Sequence, residues 1–158
     1  MFLFNALPTG GYFRRIPAAW VWFQRVILMF VQAMIYSSIL FALVWLPRKV
    51  LGYLRETSHL SVRILPLLAG LTIVTAFLIA TIIPIDRLGL LNIWSAGICV
   101  LTWLFAVLTV AGLIQVLRAR NWNVNACVWF HSLFTSIANA IALAYLSYWS
   151  VIGMRTWA

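Results

Sequence analysis

Residues 91–117 read LNIWSAGICVLTWLFAVLTVAGLIQVL, and no Lys, Arg, His, Asp or Glu interrupts the chain between Arg87 and Arg118. A helix rises about 1.5 Å per residue, so about 20 apolar residues cross the roughly 30 Å hydrocarbon layer of a bilayer. The run exceeds that length and is far longer than an ordinary strand. In hydrocarbon each backbone N–H and C=O must find its partner within the protein, which a helix achieves inside one segment. The stretch therefore reads as a transmembrane helix.

Working outward, Arg118, Arg120, Asn121, Asn123 and Asn125 form a short polar link to a second apolar run, about 126–152. Upstream, Asp86-Arg87 with Gly89 makes a tight polar turn, and Pro84 closes a run over about 64–83 whose first turn holds Pro66. Proline is tolerated there because N–H groups of the first turn have no intrahelical acceptor, so the donor that proline lacks costs no bond. A fourth run, about 20–46, is expected to stop at Pro47, Arg48 and Lys49. The loop from Arg48 to Arg63 carries Arg48, Lys49, Arg55, Glu56, His59 and Arg63, and its middle suits a short surface helix with a basic face. Residues 1–19 read as an interfacial leader broken by Pro8, Gly10, Gly11 and Pro17. Residues 1–7 are too short for the apolar region of a cleavable signal, so none is expected. The expectation is one all-α domain over residues 1–158, an integral membrane bundle of four transmembrane helices.

The whole composition agrees. Of 158 residues, 65% are hydrophobic and 8% are charged, against about 45–50% and about 25% in soluble domains. Even a good soluble core of this size buries only about 70% of the unfolded surface. This excludes a soluble globular enzyme and a disordered chain. The net charge of +9 comes from eleven basic residues, all but Lys49 arginine, with only Glu56 and Asp86 opposing them. Because the basic residues lie at span ends, they point to lipid headgroups and topology, not to nucleic acid. Arg25, Arg48 and Lys49 are the candidate headgroup contacts. Trp20 and Trp22 mark one membrane interface and Trp45 the other, and Trp149 and Trp157 are further candidate anchors. Arg48, Lys49, Arg55, Arg63, Arg118 and Arg120 fall on one side. Arg14, Arg15, Arg87 and Arg155 fall on the other, with Arg25 inside the helix start. The excess on the first side places it in the cytoplasm and both termini outside.

Chemistry-bearing groups are few. Polar residues within spans are the leads. His131, Thr135 and Asn139 recur at helical spacing on one face of the last span, with Ser132 and Ser136 beside it. They make either a polar track for a proton, ion or headgroup, or hydrogen bonds that join helices. Gln24 and Arg25 open the first span, with Gln32 two turns deeper. Thr72, Ala76 and Ala80, and likewise Ser136, Ala140 and Ala144, form small-residue rows that permit close helix approach. Cys99 and Cys127 have no metal-ligand spacing and read as packing residues. The two histidines, His59 and His131, lie far apart in sequence, Lys49 has no serine three residues before it, and no Gly-rich phosphate loop occurs. No catalytic, cofactor or metal site is expected, and the protein reads as a non-enzyme.

The closing stretch, HSLFTSIANAIALAYLSYWSVIGMRTWA at 131–158, resembles the end of the membrane tail of bacterial membrane-anchored serine hydrolases of the beta-lactamase and penicillin-binding-protein-like group. There an interfacial His-Ser begins the last helix, and Tyr148-Trp149 with Ile152-Gly153, Arg155 and Trp157 resembles the closing motif. FRRIP at 13–17 and Trp45-Leu46-Pro47-Arg48 resemble the junction and the end of the first tail helix, so the similarity covers about residues 12–158. The resemblance implies an external N-terminus, in agreement with the charge count. The family's SxxK nucleophile does not occur in this chain, so no catalytic residue carries over, and a tail without its enzyme is implied.

The function expected on these grounds is a non-catalytic accessory subunit of the bacterial inner membrane. It would pack against other integral membrane proteins and lipids in a larger complex, photosynthetic or respiratory being plausible hosts. The alternatives are an anchor for a separately encoded serine hydrolase, or a small transporter or lipid-handling protein using the His131 face.

Overall fold

The structure is a computed structural model and describes residues 17–52, 60–121 and 124–153. Helix α1 covers Ala18–Val50, α2 Leu60–Ile82, the single turn α3 Ile85–Leu88, α4 Ile93–Arg118 and α5 Ala126–Tyr148, with a 3₁₀ turn at Ala119–Asn121. No strand occurs among the described residues. Helices α1, α2, α4 and α5 are each long and apolar enough to cross a membrane. They pack as an up-down-up-down bundle, in which α2 and α4 share the most extensive contact and α5 touches α1, α2 and α4.

Element boundaries depart from the sequence reading in three places. Pro47 does not stop the first helix, which continues to Val50. Proline removes a donor but its fixed φ is helical, and the Pro47 carbonyl still accepts from Leu51 N–H at 2.9 Å. The chain leaves the helix at Gly52, whose φ of +79° favours glycine. At the second helix, the start at Leu60 puts Pro66 beyond the first turn, inside the helix. Finally, the last helix ends at Tyr148 rather than near Ile152. Ser150 takes φ +54° and Gly153 φ +68°, and Val151 and Ile152 fold back onto the core. Gly153 N–H donates to Thr102 Oγ1 on α4 at 3.0 Å. A Cβ at Gly153 would lie 2.5 Å from Trp103 Nε1, so both the conformation and the space require glycine. The leader over 1–16 and the expected surface helix over 53–59 lie outside the described residues.

Buried positions follow one rule in α1, α2 and α4. In α1 they are Val31, Ile35, Ser38, Ala42 and Trp45. In α2 they include Val62, Pro66, Ala69, Ile73 and Ala76. In α4 they are Ser95, Ile98, Thr102, Phe105, Thr109, Gly112 and Val116. The steps alternate between three and four residues, the spacing of a left-handed supercoiled bundle. The seams are rich in Ser, Thr, Ala and Gly, whereas Trp22, Met29, Leu40, Leu43, Val107 and Phe77 face outward. Lipid tails are as apolar as leucine, so burial of large side chains drives nothing here, and small residues gain by letting helices approach. Gly112 shows this directly: a Cβ there would lie 3.5 Å from both Leu65 Cβ and the Pro66 nitrogen of α2.

The turn before α4 is built by a reciprocal cap. Asn92 Oδ1 accepts from the N–H groups of Trp94 at 2.9 Å and Ser95 at 3.0 Å, and Ser95 Oγ accepts from Asn92 N–H at 3.0 Å. The Asn92 amide also donates to the Arg87 carbonyl. These bonds satisfy the donors left open at a helix start.

Candidate functional site

Helix α5 positions the polar face that the sequence singles out, and the structure divides its residues among three tasks. His131 Nε2 lies 3.2 Å from Ser37 Oγ on α1, and its ring sits 4.8 Å from that of Phe41. Thr135 Oγ1 donates to the His131 carbonyl of its own helix at 2.9 Å, so its hydroxyl is spent within α5. Asn139, fully buried, donates from Nδ2 to the Pro66 carbonyl of α2 at 3.0 Å. One helix face thus reaches α1 at one level and α2 at another.

Asn139 Oδ1, Ser136 Oγ and Thr109 Oγ1 are buried without a hydrogen-bond partner among the described residues. Beside His131 lies a cavity of about 10 Å³ lined by Ser38, Phe41, Trp45, Arg63, Pro66, Leu67, His131, Ser132 and Thr135. That volume is at the threshold for a single water. A lipid headgroup does not fit it. Ser38 Oγ already donates to the Ile35 carbonyl at 2.8 Å. The arrangement can hold one water among hydroxyls, an imidazole and a guanidinium.

Two fixing contacts escaped the sequence reading. Trp129 Nε1 donates to the Val116 carbonyl of α4 at 3.0 Å, above a cluster of Val62, Val116 and Ala119. Thr102 receives the Gly153 bond described above. The signal that could have found the α4 residues is the recurrence of Ser95, Thr102, Thr109 and Val116 at every seventh position. The small-residue rows read from the sequence are only partly seams: Ala76 and Ser136 are buried, but Ala80 and Ala144 face outward.

The proposed anchors also divide. Trp20, Trp22 and Trp149 are exposed, at the same end of the bundle. Trp45 instead turns inward, at 5% exposure, with the Arg63 guanidinium 5.8 Å from its ring centre. Trp45 closes the inner seam of α1, and the guanidinium lies within cation–π range of its ring. Arg25 is exposed and lies 5.5 Å from the Trp22 ring centre. Arg48 is exposed and Lys49 half-buried, both in the last turn of α1. Trp157 lies outside the described residues. Among the described residues no group of three or more His, Cys, Asp or Glu comes together.

Fold and polar face together define a multi-pass helical membrane protein. No family model, curated protein or solved structure matches the chain.

Proposed function

We propose that the protein is a non-catalytic subunit of a larger complex in the bacterial inner membrane, working by contact with other integral membrane proteins and with lipid. The observation that carries this reading is the direction of its side chains. The polar face of α5 is engaged with α1 and α2 around a cavity of about 10 Å³. The large apolar residues point outward, where partner helices and lipid tails are met. Arg25, two turns into α1, and Arg48 and Lys49 in its last turn serve as headgroup contacts. The basic excess on the Arg48–Arg63 and Arg118–Arg120 loops supports a cytoplasmic position for that side and external termini. The resemblance to serine-hydrolase membrane tails supports the same orientation. It would also make the chain an anchor if an SxxK hydrolase is encoded beside it.

The test is affinity purification of the tagged full-length chain from native membranes in mild detergent. The expected result is stoichiometric recovery of another integral membrane protein. Recovery of this chain free of any other protein contradicts the reading. A second reading, transport or lipid handling, draws on the polar cavity beside His131. It expects His131→Ala to abolish a flux or lipid-dependent phenotype while the bundle still assembles.

A further inference from the structure

Arg63 is a cation with no counter-charge among the described residues. It stands three residues into α2, half-buried, with its guanidinium 5.8 Å from the Trp45 ring centre. No described residue hydrogen-bonds or ion-pairs with it. The carboxylate side chain among the described residues is Asp86, in α3 beyond the far end of α2, roughly 30 Å away along the helix. Glu56 lies outside the described residues. A charge drawn into a span is costly unless it is paired.

Arg63 lines the cavity of about 10 Å³ together with Ser38, His131, Ser132 and Thr135. Most polar hydrogens around it are already engaged. The Ser38 hydroxyl donates to the Ile35 carbonyl at 2.8 Å, and that of Thr135 to the His131 carbonyl at 2.9 Å. Ser37 Oγ donates its single hydrogen to the Met34 carbonyl at 3.0 Å. In its 3.2 Å contact with His131 it therefore accepts, and the hydrogen on Nε2 is taken up there. Two donor groups remain. One is the guanidinium of Arg63. The other is the hydroxyl of Ser132, which is 4% exposed and bonds no described residue. No carboxylate lines the cavity. Helix α2 begins at this end, so its dipole adds to the same sign of potential.

We propose that this cavity binds one monatomic anion, chloride under cellular conditions, held between Arg63 of α2 and Ser132 of α5. Charge selects the occupant. A water accepts hydrogen bonds from both groups but leaves the guanidinium without a counter-charge in surroundings of low dielectric. Volume selects the class, because the space takes one atom-sized occupant and excludes a phosphate group. Chloride is somewhat larger than water, and the guanidinium, at the end of a flexible side chain, is the part of the lining that yields to it. Since Arg63 is only half-buried, one side of the site stays open to exchange. The bound anion ties α2 to α5 at a level where no direct hydrogen bond joins Arg63 to Ser132. The site requires no partner protein, so it goes beyond the subunit reading and stands without it.

The experiment uses the purified full-length chain in nanodiscs of phosphatidylcholine, with protein-free discs as the blank. Chloride-35 line broadening is followed as sodium chloride replaces sodium gluconate at constant ionic strength. The parent is expected to broaden the line saturably, and bromide to reverse the broadening. Arg63→Gln is expected to abolish the response and Ser132→Ala to weaken the affinity about three- to tenfold. Arg87→Gln removes the same charge from an exposed position at the other end of the bundle and is expected to keep the parental response. Should Arg63→Gln fail to fold, the Ser132→Ala titration decides alone. No broadening by the parent, or an equal response from all variants, overturns the site. So does a response that appears only on Glu56→Gln, which would make that carboxylate the counter-charge. Displacement of chloride by added short-chain phosphatidylglycerol also overturns it, assigning Arg63 to a lipid phosphate. Because the chain is measured alone, the result is independent of whether another protein co-purifies with it.

Discussion

Asn139 is buried with one amide hydrogen directed at the Pro66 carbonyl and its own oxygen unpartnered. Losing it therefore removes an interhelical bond and an unsatisfied acceptor together, and the two effects oppose each other. Asn139→Ala is expected to lower stability by about 1 kcal/mol and by no more than about 2. Thr135→Val is expected to change it by less than about 0.5 kcal/mol, because the Thr135 hydroxyl bonds only within α5. Unfolding in mixed micelles by detergent titration checks both, and a larger loss at Thr135 than at Asn139 contradicts the assignment. At this scale the sequence was partly legible. His131, Thr135 and Asn139 stood out because polar residues are rare in spans. Their partners Ser37, Phe41 and Pro66 did not, because nothing in a single sequence says which helix a face will meet. Trp45 shows the same limit: its place near the span end suggests an interface anchor, but it lies on the inner seam of α1, beside Arg63.

Among the elements, α4 shows why spans were easier to find than their faces. Its length and lack of charge declare a transmembrane helix, yet apolar residues surround it on all sides. Its seam is marked instead by what is small or hydroxylated: Ser95, Thr102, Thr109 and Gly112. A search at four-residue spacing catches half a seam and then drifts off it, as Ala80 and Ala144 show, whereas alternating steps of three and four stay on it. Gly112 tests this account. Ordinary contact distance to Leu65 and Pro66 leaves room for one methyl, so Gly112→Ala is expected to fall within about 0.5 kcal/mol of the parent. Gly112→Leu is expected to cost about 2 kcal/mol or more by forcing α2 and α4 apart. Thermal stability of the purified variants decides it, and equal tolerance of Ala and Leu refutes close approach at this crossing. Element ends were the less legible part. Pro47 and Ile152 looked like stops, but one lies inside a helix and the other beyond one. Proline fixes φ without forbidding a helix, and the positive φ at Ser150 has no sequence signature.

For the whole molecule, four spans return the chain to the side from which it started. Reporter tags at the two ends are therefore expected to share one compartment, which on the proposed orientation lies outside the cytoplasm. Impermeant labelling of intact cells should reach both tags, while labelling of one alone contradicts a four-span bundle. The larger proposal is that a polar face joining helices in the interior and an exterior of large apolar side chains make a protein of contact. Native mass spectrometry of material released from native membranes in mild detergent measures this most directly. The account predicts a complex holding the 17.9 kDa chain together with at least one other integral membrane protein. A lone 17.9 kDa species across the same range of gentle conditions would contradict it.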